Sequence, residues 1–117
     1  MNHYSTIKDL LTTADFQIVA ENEEDGVLVI NDEVSGLIHT MLVVAEPLLV
    51  IEQVLFEANL NVEDIASNLL RKNRDLVSGA FCLDENNRVI FRDTLRLDGI
   101  DLNKIESTLN ALELALS

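Results

Sequence analysis

The sequence predicts an α+β fold built on an antiparallel sheet, with the element order α-β-β-β-(β)-α-β-β-α. Three observations lead there. Apolar residues alternate with others in successive short runs along the first half of the chain, the period-two signature of strands. Three other stretches repeat apolar residues at spacings of three and four, as amphipathic helices do. Strands that follow one another directly imply antiparallel pairing, because βαβ units would alternate strictly. The 117 residues suit one domain spanning 1–117, and 48% hydrophobic residues suffice for a core.

Ser5 is a good helix N-cap, since its hydroxyl can accept a bond from an unsatisfied first-turn N–H. Ile7, Leu10, Leu11 and Ala14 then place a short helix over residues 6–14. Phe16, Ile18 and Ala20 alternate as a strand, and the acidic run Glu21 to Asp25 closes on Gly26 as a hairpin turn. Val27 to Ile30 and Leu37 to Ala45 are the next strands, separated by a turn over Asn31 to Gly36.

Residues 48–56 carry two patterns. Leu48, Ile51 and Leu55 would line a helix starting after Pro47, whereas Val50, Ile51, Val54 and Phe56 favour a strand, which is the assignment adopted. Asn61 with Asp64 resembles a weak capping box ahead of a helix with Val62, Ile65, Ala66, Leu69 and Leu70 on one stripe. That helix ends in Arg71, Lys72 and Arg74, charges that suit a helix C-terminus. Ala80 to Leu83 and Arg88 to Leu97 are strands joined by a turn over Asp84 to Asn87. Asp93, on the apolar face of the second, marks a bulge or a sheet edge. Asp101 caps a last helix carrying Leu102, Ile105, Leu109, Leu112 and Leu116.

The formal charge is −13, from 21 acids against 8 Lys plus Arg. Such a field repels phosphate backbones and anionic membrane surfaces, so neither nucleic acid nor membrane is an expected partner, while a basic protein is. The excess is uneven. Residues 1–70 hold 13 acids and only Lys8, whereas residues 71–117 hold 8 acids, 7 bases and every arginine. A solvated acidic surface with internal ion pairs explains this, and so does a polarised surface that meets a partner or a second copy.

Chemistry-bearing residues are few. Cys82 lies mid-strand and reads as a small buried hydrophobe; it has no cysteine to pair with, which fits a reducing cytoplasm. With His3 and His39 it makes too small a set for structural zinc. Asp84 to Asn87 lacks the glycine and closing glutamate of a calcium loop. His39 has no placed nucleophile, and there is no glycine-rich phosphate loop. Met1 to Thr6 lacks the basic start and apolar stretch of a signal peptide, and no segment is long and uncharged enough to span a membrane. No catalytic residue, metal or cofactor is expected. Arg88, Arg92 and Arg96 project together from one strand face with Ile90 and Thr94, as a long-chained solvent face or a partner surface.

The stretch from Asn61 to Leu116, with its AFCLDE strand, its RVIFRDTLRLDG strand and its closing amphipathic helix, resembles the C-terminal half of CesT-like class I type III secretion chaperones. It resembles the YbjN-like proteins of the same fold equally well. The first resemblance implies a non-enzymatic homodimer holding an extended client segment on apolar patches. Its dimer contact would fall on Val62, Ile65, Ala66, Leu69 and Leu70, and its client contacts on Ile7, Leu11, Ile18 and Ile90. The second implies a stand-alone regulatory or stress-response protein with a folded partner and no secretion role.

Overall fold

The computed structural model describes residues 3–34, 36–59 and 61–116. In chain order its elements are α1 (His3–Thr13), β1 (Gln17–Asn22), β2 (Val27–Asp32), β3 (Leu37–Ala45), β4 (Leu48–Glu57), α2 (Val62–Asn73), β5 (Ala80–Leu83), β6 (Arg88–Arg96) and α3 (Leu102–Leu116). The six strands form one antiparallel sheet in the order β1-β2-β3-β4-β6-β5. The helical alternative for residues 48–56 is excluded. β4 pairs with β6 from Leu48 to Glu57 and with β3 from Leu48 to Glu52, and Ile51 lies between Leu42 and Asp93.

Alternation assigns the two sheet faces. Leu28 and Ile30 of β2, Leu42 of β3, Leu49 and Ile51 of β4 and Phe91 of β6 bury one face. Over it lie Tyr4, Ile7 and Leu11 of α1 and Ile105, Leu109 and Leu112 of α3. Each such side chain contributes about 1.5–3 kcal/mol through burial. The expected cap of α3 forms, since the Lys104 N–H donates to Asp101 Oδ1 at 2.9 Å.

Three local expectations are corrected and a fourth is narrowed. α1 begins at His3, so Ser5 lies inside it; burying Tyr4 one turn before Ile7 favours the extra residues. The β1 alternation breaks at a bulge between Ile18 and Ala20, which leaves Ala20 exposed. Asn61 adopts a left-handed conformation with no side-chain cap bond, so the capping box does not form. Asp93 marks no bulge. It stands just past the end of β5, which pairs with β6 only as far as Arg92, so that from Asp93 onward β6 pairs with β4 alone. Asp93 sits buried within β6, accepting bonds from Ser78 Oγ at 2.6 Å and the Thr94 N–H at 2.8 Å.

The β1–β2 turn needs its glycine twice over. Gly26 has φ +73°, and a Cβ there would stand 2.7 Å from the Val44 carbonyl oxygen. The same backbone accepts the Val44 N–H at 2.8 Å, so β3 cannot retreat without losing that bond. Gly26→Ala is expected to destabilise the chain by about 2–4 kcal/mol, combining left-handed strain with overpacking, as measured by urea unfolding.

In the β5–β6 turn, Asp84 Oδ1 accepts the Arg88 and Asn86 N–H groups, both at 2.9 Å, and Oδ2 accepts Arg88 Nε at 2.7 Å. The Arg88 N–H foremost, with its guanidinium and the Asn86 N–H, holds the Asp84 carboxyl below the usual carboxylate range. A depressed folded value stabilises the fold above the unfolded value of about 3.9, and that stability is lost as pH falls through the folded value. Acid titration of Tm should therefore show a shallower fall below about pH 4 in Asp84→Asn than in the wild type.

Candidate partner-binding groove

Helix α2 has one apolar stripe and uses little of it. None of its residues is buried; Val62, Ile65, Ala66 and Leu69 are half-buried, and Leu70 is 71% exposed. It packs along β5, the last strand of the sheet. Its attachment is polar. The Asn73 amide donates to the Phe81 carbonyl at 3.1 Å and accepts the Phe81 N–H at 2.7 Å, satisfying the outer edge of β5 as a neighbouring strand would. Phe81 then meets Phe91 edge-on, with ring centroids 5.3 Å apart.

Between α2 and the C-terminal end of α3 the sheet stays open. The groove there has a volume of about 810 Å³, within the roughly 300–1,000 Å³ usual for ligand pockets. Its floor is Gln53, Phe56, Phe81 and Val89; Ile65 and Leu69 form one wall, and Ala115 and Leu116 the other. Ile38 and Phe56 are about half exposed, at 58% and 49%. Arg71 and Lys72 stand in the lining, which includes no Asp or Glu among the described residues.

The polar floor is internally satisfied. Thr40 Oγ1 donates to Gln53 Oε1 at 2.5 Å, and Gln53 Nε2 donates to the carbonyls of Ile38 at 2.8 Å and Val54 at 3.1 Å. Gln53 thereby ties the start of β3 to the end of β4 beneath the groove. Gln53→Ala strands the buried Thr40 hydroxyl, and a loss of about 1–3 kcal/mol is expected in thermal unfolding.

The structure corrects several anticipated contacts. Ile7 and Leu11 are fully buried in the core and Ile90 is 9% exposed, so they are not free surface in this chain. The resemblance suggested them, whereas the α1 stripe of Ile7 and Leu11 covers the sheet. Ile18 is half-buried on β1 and packs against the core cluster. Arg92 pairs with Glu52 across β4–β6 at 3.2 Å and Arg88 with Asp84 at 2.7 Å, so two of the three arginines are engaged internally by facing carboxylates. Arg96 is exposed. Cys82 is half-buried in β5, and His39 is exposed with φ +52° at an irregularity of the β2–β3 pairing.

Sequence reasoning missed Ile38, Phe56 and Leu116 as groove residues. A signal was present: Val54, Leu55 and Phe56 are consecutive, and a strand cannot bury three neighbours on one face. The register shift between Val54 and Phe56 turns Phe56 opposite Val89 and into the groove. The uneven charge also takes a place in space. The acidic run Glu21 to Asp25 lies at the β1 end of the sheet, while β6 and α2 carry most arginines at the other.

No described helix is long and apolar enough to cross a membrane. YbjN from E. coli superposes with a TM-score of 0.75 at 11% identity, over 95% of this chain and 86% of that one. A chain of the HopA1–SchA chaperone–effector complex gives 0.70 at 12%, over 97% and 90%. The Yersinia pestis type III secretion chaperone structure of SycH with a stable fragment of YscM2 gives 0.67 at 19%, over 98% and 99%. No curated protein matches the sequence. The CesT_Tir_1 family model matches residues 1–117. With that match and the shared type III secretion chaperone fold, the chain belongs to the CesT_Tir_1 family.

Proposed function

We propose that this chain is a non-enzymatic, single-domain, cytoplasmic protein-binding module that acts as a homodimer and holds a segment of a partner or client protein. The observation that carries this reading is the pairing of an amphipathic helix that buries none of its residues with an open apolar groove beside it. Burying such surface is favourable at about 25 cal/mol per Å², and nothing else in the described chain covers it. The dimer contact is assigned to Val62, Ile65, Ala66, Leu69 and Leu70. The partner segment is assigned to the groove beside Ile38 and Phe56, in place of the buried Ile7, Leu11 and Ile90. Support comes from the complexes in which SchA and SycH were solved, each a chaperone with a bound protein.

A second reading rests on the likeness to YbjN: a stand-alone regulatory or stress-response protein that binds a folded partner, without a secretion role. The two separate experimentally. A photo-crosslinker at Phe56 should trap an unstructured segment of its partner under the first reading and a folded surface under the second. Light scattering at micromolar concentration should give twice the chain mass, and Leu70→Asp should give a folded monomer, because a charge in an apolar contact costs several kcal/mol. A wild-type chain that scatters as a strict monomer contradicts the dimer.

A further inference from the structure

We infer that the groove selects an acidic apolar segment, against the sign of the protein's overall charge. This rests on the groove being the partner site. The chain carries 21 acids against 8 Lys plus Arg, so the charged groups on a surface drawn at random from it would be carboxylates more often than cations. The groove has the opposite lining: Arg71, Lys72 and, among the described residues, no Asp or Glu. Their place in the last turn of α2 suits the helix dipole, which explains why cations stand there at all. It does not explain why they remain without a counter-charge.

Every other arginine except Arg96 meets a carboxylate: Arg74 meets Asp75, Arg88 meets Asp84 and Arg92 meets Glu52. Arg71 and Lys72 meet none among the described residues. Both side chains are exposed at the rim, above a floor of Phe56, Phe81 and Val89. An occupant that fills this floor with apolar side chains thus brings its flanking positions against a guanidinium and an ammonium. A carboxylate there gains a charge-assisted bond, and a lysine or arginine is repelled. The acidic run Glu21 to Asp25, at the β1 end of the sheet, meanwhile disfavours an acidic segment there, so the charge discriminates in position as well as in composition.

Selection of random linear peptides displayed on phage against the full chain tests this. The recovered pool should be enriched in Asp and Glu beside apolar residues and depleted in Lys and Arg. A recovered peptide should bind about three- to ten-fold more tightly than its Glu→Lys counterpart by fluorescence anisotropy at low salt, as two exposed pairs allow. The double variant Arg71→Glu, Lys72→Glu, with unchanged circular dichroism, should lose or reverse that preference. A pool rich in Lys and Arg overturns the acidic selectivity and leaves the partner-binding reading standing. An acidic preference that survives the double substitution overturns the assignment to these two side chains. A double variant that changes the scattering mass and not the peptide affinity gives the groove to a second copy, which also overturns the proposal. Recovery no better than on Phe56→Asp, or on the exposed Ile38→Asp if Phe56→Asp fails to fold, overturns the groove as partner site altogether.

Discussion

A six-stranded antiparallel sheet spans about 24 Å across its strands, and two helices of about 10 Å cover less than that width. Much of the rest of this structure depends on that mismatch. α1 and α3 close the buried face over Leu28, Ile30, Leu42, Leu49, Ile51 and Phe91. Toward β5 the cover runs out. There α2 lies along the edge strand, held by the Asn73 amide on the Phe81 backbone, and the sheet between it and the end of α3 stays open. The groove is therefore a consequence of strand number and helix placement before it is a matter of any single side chain.

The polar groups of this open region are satisfied internally. Gln53 and Thr40 satisfy one another and the Ile38 carbonyl beneath the floor, where an apolar pair would leave backbone groups without partners. Asp93 plays a comparable part at β6, engaged by Ser78. The opposite edge is protected differently. β1 is bulged, and Glu21 draws Lys8 of α1 onto it at about 3.0 Å, which blunts an edge that would otherwise template pairing.

Most of the architecture is legible in the sequence. All nine elements follow from apolar period and from turn residues, and Asp101 caps α3 as its position suggested. Less could be read where a local signal competes with burial. Ser5 is a good cap, yet burial of Tyr4 carries the helix past it; Asn61 with Asp64 resembles a weak capping box, yet the Asn61 backbone turns left-handed. The site was legible in part. The stripe on α2 follows from helical spacing, but its exposure does not, and the resemblance nominated Ile7 and Leu11, which lie in the core. A stripe records that a face is apolar, and not which neighbour covers it.

The order of residues was enough to determine the element types, the antiparallel sheet and the uneven charge, since each depends on spacing along the chain. It left undecided which apolar residues stay open and which charges stay unmatched. Those depend on neighbours remote in sequence: Glu52 reaches Arg92 across two strands, and Val89 meets Phe56 only after a register shift. Folding paired Arg88 and Arg92 with carboxylates, buried three of the expected contacts and left Arg71 and Lys72 beside an apolar groove. Periodicity assigns a strand residue to a face, but which remote residue stands opposite it is settled only when the strands pair.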